Sequence, residues 1–187
     1  MEISRIRDRE ALLNFVRRGG RPKYVFFWGH TPKHGEAVGK HVFSQWFQAP
    51  FTVDGVSYPT AEHWMMAEKA RLFGDRETRD RILAAGNPGE AKKLGREVRG
   101  FSEQVWDAAR WEIVVRGNVA KFGQHPELGA YLANTGDRVL VEASPPDRVW
   151  GIGLAQDDPA AENPELWRGL NLLGFALMEA RARLRDG

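Results

Sequence analysis

Hydrophobic positions in this chain alternate between short β-branched or aromatic blocks and longer stretches at helical spacing. The blocks Tyr24-Val25-Phe26-Phe27-Trp28, Arg138-Val139-Leu140-Val141-Glu142 and Val149-Trp150-Gly151 read as strands. Phe51, Val53, Val56 and Tyr58 flank Asp54-Gly55, a dipeptide that supplies the positive φ values of a tight turn, so a hairpin is expected there. Residues 4–18 carry Ile6, Leu12, Leu13 and Val16 roughly on one side and end at Gly19-Gly20, the pattern of an amphipathic N-terminal helix. Thr60 is placed to cap a helix that runs to about Phe73 and stops at Gly74. Further helices are predicted over 75–85, 88–95, 102–122 with Ser102 as cap, from His125-Pro126 to about Asn134, and from Leu166 to Leu184. Residues 29–41 and 155–164 are loop-like in composition. The expected class is α+β, a mostly helical single domain around a small β-sheet, with residues 1–20 as a helical extension and 21–187 as the domain proper.

A length of 187 residues with 42% hydrophobic content is enough for one sizeable core. The absence of cysteine removes disulfides, thiol nucleophiles and thiolate metal sites. No apolar run is long enough to span a bilayer, and charges interrupt the N-terminal apolar residues where a signal peptide would need a continuous block. A cytoplasmic protein without a membrane partner is the expectation. The sequence pI near 9.0 comes with a net charge of only +2 and both signs well mixed, which is weak support for a dedicated polyanion groove. His30 and His34, with Glu36 and His41 nearby, have a spacing that would suit a metal on a helix. Pro32 and Gly35 oppose that helix, so no metal site is expected. Walker, Rossmann and nucleophile-elbow motifs are all missing from the sequence. Seven tryptophans and ten phenylalanines lie among polar residues; most belong in a core, but such surfaces beside charges also suit a planar ligand.

The helix begun by Thr60 carries the most specific chemistry. Glu62 and Lys69 are separated by two turns, roughly 10 Å along the axis, which is too far for a helix-surface ion pair. The spacing suits two groups reaching toward opposite ends of one small ligand.

Several segments together resemble one family, the NADAR or YbiA-like N-glycosidases. They are Asp54-Gly55, Tyr58-Pro59-Thr60, Glu62-His63, Lys69-Ala70, Leu94-Gly95-Arg96, Trp106, Lys121-Phe122, Leu132 with Thr135, and Glu142. The series continues through Asp147-Arg148-Val149-Trp150-Gly151-Ile152-Gly153, Asn171-Leu172-Leu173-Gly174, Leu177-Met178 and Arg181, covering about residues 24–184. The resemblance implies hydrolysis of a bond between ribose and an amino-bearing base, with ADP-ribosylated guanine, including that in nucleic acid, or early riboflavin-pathway ribosylamino intermediates as substrates. It implies no cofactor and no obligate protein partner. Three positions depart from the family pattern: Ser44-Gln45-Trp46 stands in place of Ser-Asn-Phe, Met65-Met66 replaces a more polar pair, and Gly169-Leu170-Asn171 lacks a lysine, which weakens the case for a phosphate contact there.

Cleaving a glycosylamine requires stabilised positive charge at the anomeric carbon and a protonated leaving nitrogen. Glu62, in the first turn of its helix, is favoured in the ionised form by the helix dipole and suits a base or charge stabiliser; simple complementation of the dipole is the other reading. Lys69 either attacks an open-chain imine as a neutral amine or binds a phosphate as a cation. Asp147 is a candidate general acid or ribose ligand and Trp150 a stacking surface, with Gly151 and Gly153 allowing close approach to the backbone; a plain turn gives the same pattern. Trp106, Arg110 and Lys121 fall near one helix face as a pocket wall, and Asn171 is a candidate sugar or phosphate contact. A non-catalytic module that binds ADP-ribose is the alternative from another class.

Overall fold

The computed structural model describes residues 3–32 and 35–187. Within it the chain divides into two compact units, one formed by residues up to Ser44 together with Pro126–Gly187, the other by Gln45–His125. The class is α+β, as expected, but the sheet content is split into two two-stranded pieces, one in each unit.

In the first unit β1 (Tyr24–Phe27) pairs in parallel with β4 (Val139–Glu142), with Tyr24 opposite Val139 and Phe27 opposite Glu142. Val25, Phe26, Phe27, Val139, Leu140 and Val141 are all buried, the continuous apolar signature of strands covered on both faces. The N-terminal helix α1 (Arg9–Arg17), capped by Asp8, is tied to the 3-10 turn Pro164–Leu166. Arg9 Nε donates to Pro164 O at 2.9 Å and Arg17 pairs with Glu165 at 3.0 Å, while Arg7 pairs with Glu179. Helix α6 (Pro126–Ala133) packs against α7 (Leu172–Asp186), which lies on β4.

Two expectations fail in this unit. Residues 149–151 form bends rather than a strand, and α7 starts at Leu172 rather than at Leu166. Both have one cause. Residues 148–152 and 168–173 run against each other through a series of backbone bonds, among them Arg168 N to Ile152 O at 2.9 Å, Leu170 N to Arg148 O at 3.0 Å and Asn171 N to Gly151 O at 3.1 Å. The amides of Arg168, Leu170 and Asn171 are therefore used before α7 can begin, and Asn171 enters it in the left-handed conformation at φ 55°.

In the second unit β2 (Phe51–Val53) and β3 (Val56–Tyr58) form the expected hairpin, with positive φ at both Asp54 and Gly55. Helices α2 (Ala61–Leu72), α3 (Arg76–Leu83), α4 (Pro88–Arg96) and α5 (Glu103–Gln124) follow. Thr60, Asp75, Asn87 and Ser102 cap them, each side-chain oxygen accepting the backbone N–H three residues on. Burial along α2 is unbroken from Ala61 to Glu68, so it is a central helix rather than a surface one. His63 anchors its start: Nε2 bonds Ala85 O at 3.1 Å and Nδ1 the Thr60 hydroxyl at 2.8 Å. A carbonyl only accepts, so Nε2 carries the proton and Thr60 donates to Nδ1. Among the described residues no helix is long and apolar enough to cross a membrane.

Trp64 crosses from α2 to α5, where its indole N–H donates to Ile113 O at 2.7 Å. The ring reaches that carbonyl over Gly117, where a Cβ would sit 2.3 Å from Trp64 Cδ1. Gly117→Ala gains about 1 kcal/mol of helix propensity but forces out a rigid ring, an overpacking cost of about 1–3 kcal/mol, and loses its hydrogen bond, about 1 kcal/mol more. A net destabilisation of about 2 kcal/mol is expected as a lowered urea midpoint. Gly95→Ala meets the flexible Met66 side chain instead and is expected to cost less.

Candidate active site

Position and burial separate the residues singled out above. Glu62, in the first turn of α2, is 3% exposed, and its backbone N–H donates to Gln45 O at 3.0 Å. Lys69, in the last turn of the same helix, is half-buried and lies in a small cage. Its ammonium donates to Gly95 O at 2.7 Å and sits 4.4 Å from the centroid of the Phe101 ring and 5.7 Å from that of Trp106. Burial lowers its pKa below the ordinary lysine value, and the Arg96 guanidinium lowers it further. The structure thus joins Lys69 to Trp106, which the sequence put on separate helices, and adds Phe101, Gly95 and Arg96. In the sequence Leu94-Gly95-Arg96 stands out only as a motif, and the exposed Phe101, in the loop before α5, carries no signal of its own.

The rest of the α5 wall is mixed. Arg110 pairs with Asp107 at 2.7 Å on the same helix, with its own side chain 18% exposed. Lys121 is fully buried beside the Phe122 and Phe47 rings, at 5.1 and 5.6 Å from their centroids, and burial pushes its pKa down to about 7. It is a core lysine with no solvent-facing surface, unlike the pocket-wall cation that helix spacing predicts.

In the first unit, Asp147 Oδ1 accepts the backbone N–H groups of Val149 at 2.9 Å and Trp150 at 2.7 Å, so the bend expected from sequence is held by the carboxylate itself. Close approach to Gly151 is also real, but the approaching group is protein. A Cβ on Gly169 would lie 2.2 Å from Gly151 O, and one on Gly151 itself 2.9 Å from Glu142 O. Gly153 has φ +68° and a similarly crowded Cβ position. Trp150 is half-buried. Asn171 is 0% exposed; its Oδ1 accepts from Glu142 N at 2.9 Å and its Nδ2 donates to Leu140 O at 2.9 Å, so its amide serves the edge of β4. His34, one of the histidines at metal-like spacing, lies outside the described residues.

A model of the NADAR domain matches residues 26–185. The chain belongs to the NADAR family. It is 42% identical over 164 residues to N-glycosidase R617 of Acanthamoeba polyphaga mimivirus, covering 85% of this chain and 95% of that protein. It is 33% identical over 142 residues to N-glycosidase YbiA of Escherichia coli K12, covering 76% of this chain and 80% of that one. The NMR structure of the E. coli protein YbiA superposes with a TM-score of 0.69 at 28% identity, covering 89% of this chain and 87% of that one. The matched region begins within β1, after α1, and the activity class these relatives share is N-glycosyl hydrolysis.

The buried lysine has a consequence for stability. Below pH 7 Lys121 is protonated folded and unfolded, and the fold carries the full cost of the buried charge. Above its native pKa of about 7 the unfolded chain binds the extra proton, so stability rises with pH toward the ordinary lysine value of 10.5. Lys69, shifted the same way, adds to the rise. Urea midpoints measured from pH 6.5 to about 9.5 are expected to increase in the wild type and to increase less in Lys121→Met.

Proposed function

We propose that this chain hydrolyses the N-glycosidic bond between ribose and an amino-bearing base, as in ADP-ribosylated guanine or the early ribosylamino intermediates of riboflavin synthesis. The observation that carries the reading is the Lys69 cage. Burial and the neighbouring Arg96 lower the pKa of this amine, which makes it more readily available in the neutral form that attacks carbon, while the two rings hold it in position. Membership of a family with N-glycosidase relatives supports the bond type.

In the proposed reaction the ribosylamine opens so that C1 and the exocyclic nitrogen form an imine. The Lys69 amine adds to C1, and the base nitrogen takes up a proton and departs as a free amino group, leaving C1 joined to Nζ as a Schiff base. Water then adds to C1, the C1–Nζ bond breaks, and ribose leaves as the aldehyde in equilibrium with its ring form. The Glu62 carboxylate balances positive charge at C1, relays to the departing base nitrogen the protons that Nζ gives up as it bonds to C1, and in the second step passes the protons of the attacking water back to Nζ. Asp147 acts by holding the bend that carries Trp150, a positioning role through its two amide bonds.

Incubation with ADP-ribosylated guanine and, separately, with an aminouracil riboside phosphate tests the assignment. Release of free base from either is the expected result, and the one that turns over names the substrate. Binding of both with release from neither would make the chain a nucleotide-binding module instead. Glu62→Gln is expected to lower kcat by about 100-fold or more. Lys69→Arg keeps the charge but cannot form a Schiff base. A loss of similar size or larger is expected there, and turnover near the wild-type rate would rule the covalent route out.

A further inference from the structure

Helix α2 has a second polar face, opposite the one that carries Glu62 and Lys69. At ~100° per residue Glu62 and Lys69 fall within about 20° of each other around its axis, whereas Trp64, Ala67, Glu68 and Arg71 lie roughly 140–240° from Glu62. Those four residues line a cavity of about 410 Å³, completed by the β2–β3 hairpin, α3 and α5 and contained entirely in the second unit. The volume lies in the range of small-molecule sites.

Folding brings three guanidiniums to this cavity from three different helices: Arg71 of α2, Arg79 of α3 and Arg116 of α5. Arg71 is committed, since its Nε and Nη2 donate to the two oxygens of the buried Glu68 carboxylate at 2.8 and 2.9 Å. The other two are held loosely. Arg79 donates to Asp80, an exposed neighbour in sequence that lies outside the lining, and Arg116 reaches Asp54 only at 3.9 Å, where the carboxylate is 88% exposed. Exposed pairs of this kind add little to stability and exchange readily for another anion. The Trp64 ring keeps Arg116 at the cavity, with the guanidinium carbon 5.5 Å from the ring centroid. Tyr58 adds a neutral donor. Its ring is buried against Phe51 and Trp64, yet its hydroxyl makes no hydrogen bond among the described residues. Burial and the nearby Glu68 carboxylate raise its pKa, so it stays protonated.

The lining sets three guanidiniums against the carboxylates of Glu68 and Asp54, an excess of one positive charge. That balance suits a singly charged carboxylate, which the planar arginine fork also matches, better than a phosphate dianion. Val53, Val56 and Leu83 add apolar surface beside the two aromatic rings, which calls for an apolar body on the ligand. We infer that this cavity binds a small carboxylic acid with an aromatic or branched apolar body, its carboxylate held by Arg79, Arg116 and the Tyr58 hydroxyl. The site is separate from Glu62 and Lys69 and does not rest on the hydrolytic reading.

Titration of the full chain with phenylacetate, followed by calorimetry and by the NMR shift of the Trp64 indole N–H, provides the test. Saturable binding at one site is expected. Phenylacetamide, the same body without the charge, is expected to bind about tenfold more weakly or worse, and inorganic phosphate to bind more weakly than phenylacetate. Arg79→Gln combined with Arg116→Gln is expected to weaken phenylacetate by about tenfold or more, the scale of a lost charge-assisted hydrogen bond. Tyr58→Phe keeps the ring packing and is expected to weaken it by about threefold to tenfold. Thermal melting of each variant separates lost binding from lost fold, and Tyr58→Phe carries the test if the arginine double variant unfolds. Absence of saturable binding, equal affinity for phenylacetamide, tighter binding of phosphate, or undiminished binding by the folded variants would overturn the inference. Base release measured without phenylacetate is expected to survive the arginine substitutions. Its loss in a folded double variant would also overturn the inference, since the cavity would then belong to the reacting site.

Discussion

Everything in the second unit depends on helix α2 being buried while still carrying polar side chains. An amphipathic helix keeps such groups in water, but burial from Ala61 to Glu68 removes that option, and an unpaired buried polar group costs about 1–3 kcal/mol. The neighbouring elements meet this demand. His63 is bonded at both ring nitrogens, Trp64 donates to the Ile113 carbonyl, and Glu68 takes two bonds from Arg71. Lys69 reaches Gly95 on α4. The bonds to Ala85, Ile113 and Gly95 also tie α2 to the segments around it, so satisfying these polar groups and assembling the unit are one process.

The same demand shapes the chemistry. A lysine ammonium released to water would keep its ordinary pKa and attack nothing at neutral pH. Lys69 is held where desolvation and Arg96 both disfavour its charge, and the aromatic faces of Phe101 and Trp106 partly compensate through their quadrupoles. Lys121 takes desolvation further, being wholly buried with a pKa of about 7. Two lysines of one unit are thus tuned in the same direction by the same cause, but only Lys69 keeps part of its surface in solvent.

The first unit solves a different problem, how to finish a two-stranded parallel sheet. β4 would leave its edge amides and carbonyls unpaired beside α7, and Asn171 supplies the missing partners with one side-chain amide, accepting from Glu142 and donating to Leu140. That requires the helix to lie very close to the strand. Gly174 permits it, since a Cβ there would be 2.0 Å from Leu140 O. The glycines at 151 and 169 serve the neighbouring contact, where two stretches of irregular backbone pair with each other.

Elements specified by near neighbours were legible in the sequence. Thr60 and Ser102 cap helices because their hydroxyls reach an amide three residues away, and Asp54-Gly55 turns because those two residues accept positive φ. The ordered motifs also sufficed to place the chain in its family. Pairing of Tyr24 with Val139, the cage that joins Lys69 to Phe101 and Trp106, and the burial of Lys121 required the tertiary structure, because their partners are distant in sequence. The glycine-rich segment from 147 to 153 shows the limit most clearly. Residue type announces that something approaches the backbone, but whether that is a ligand or the chain's own Gly169 is decided only when the two stretches fold together.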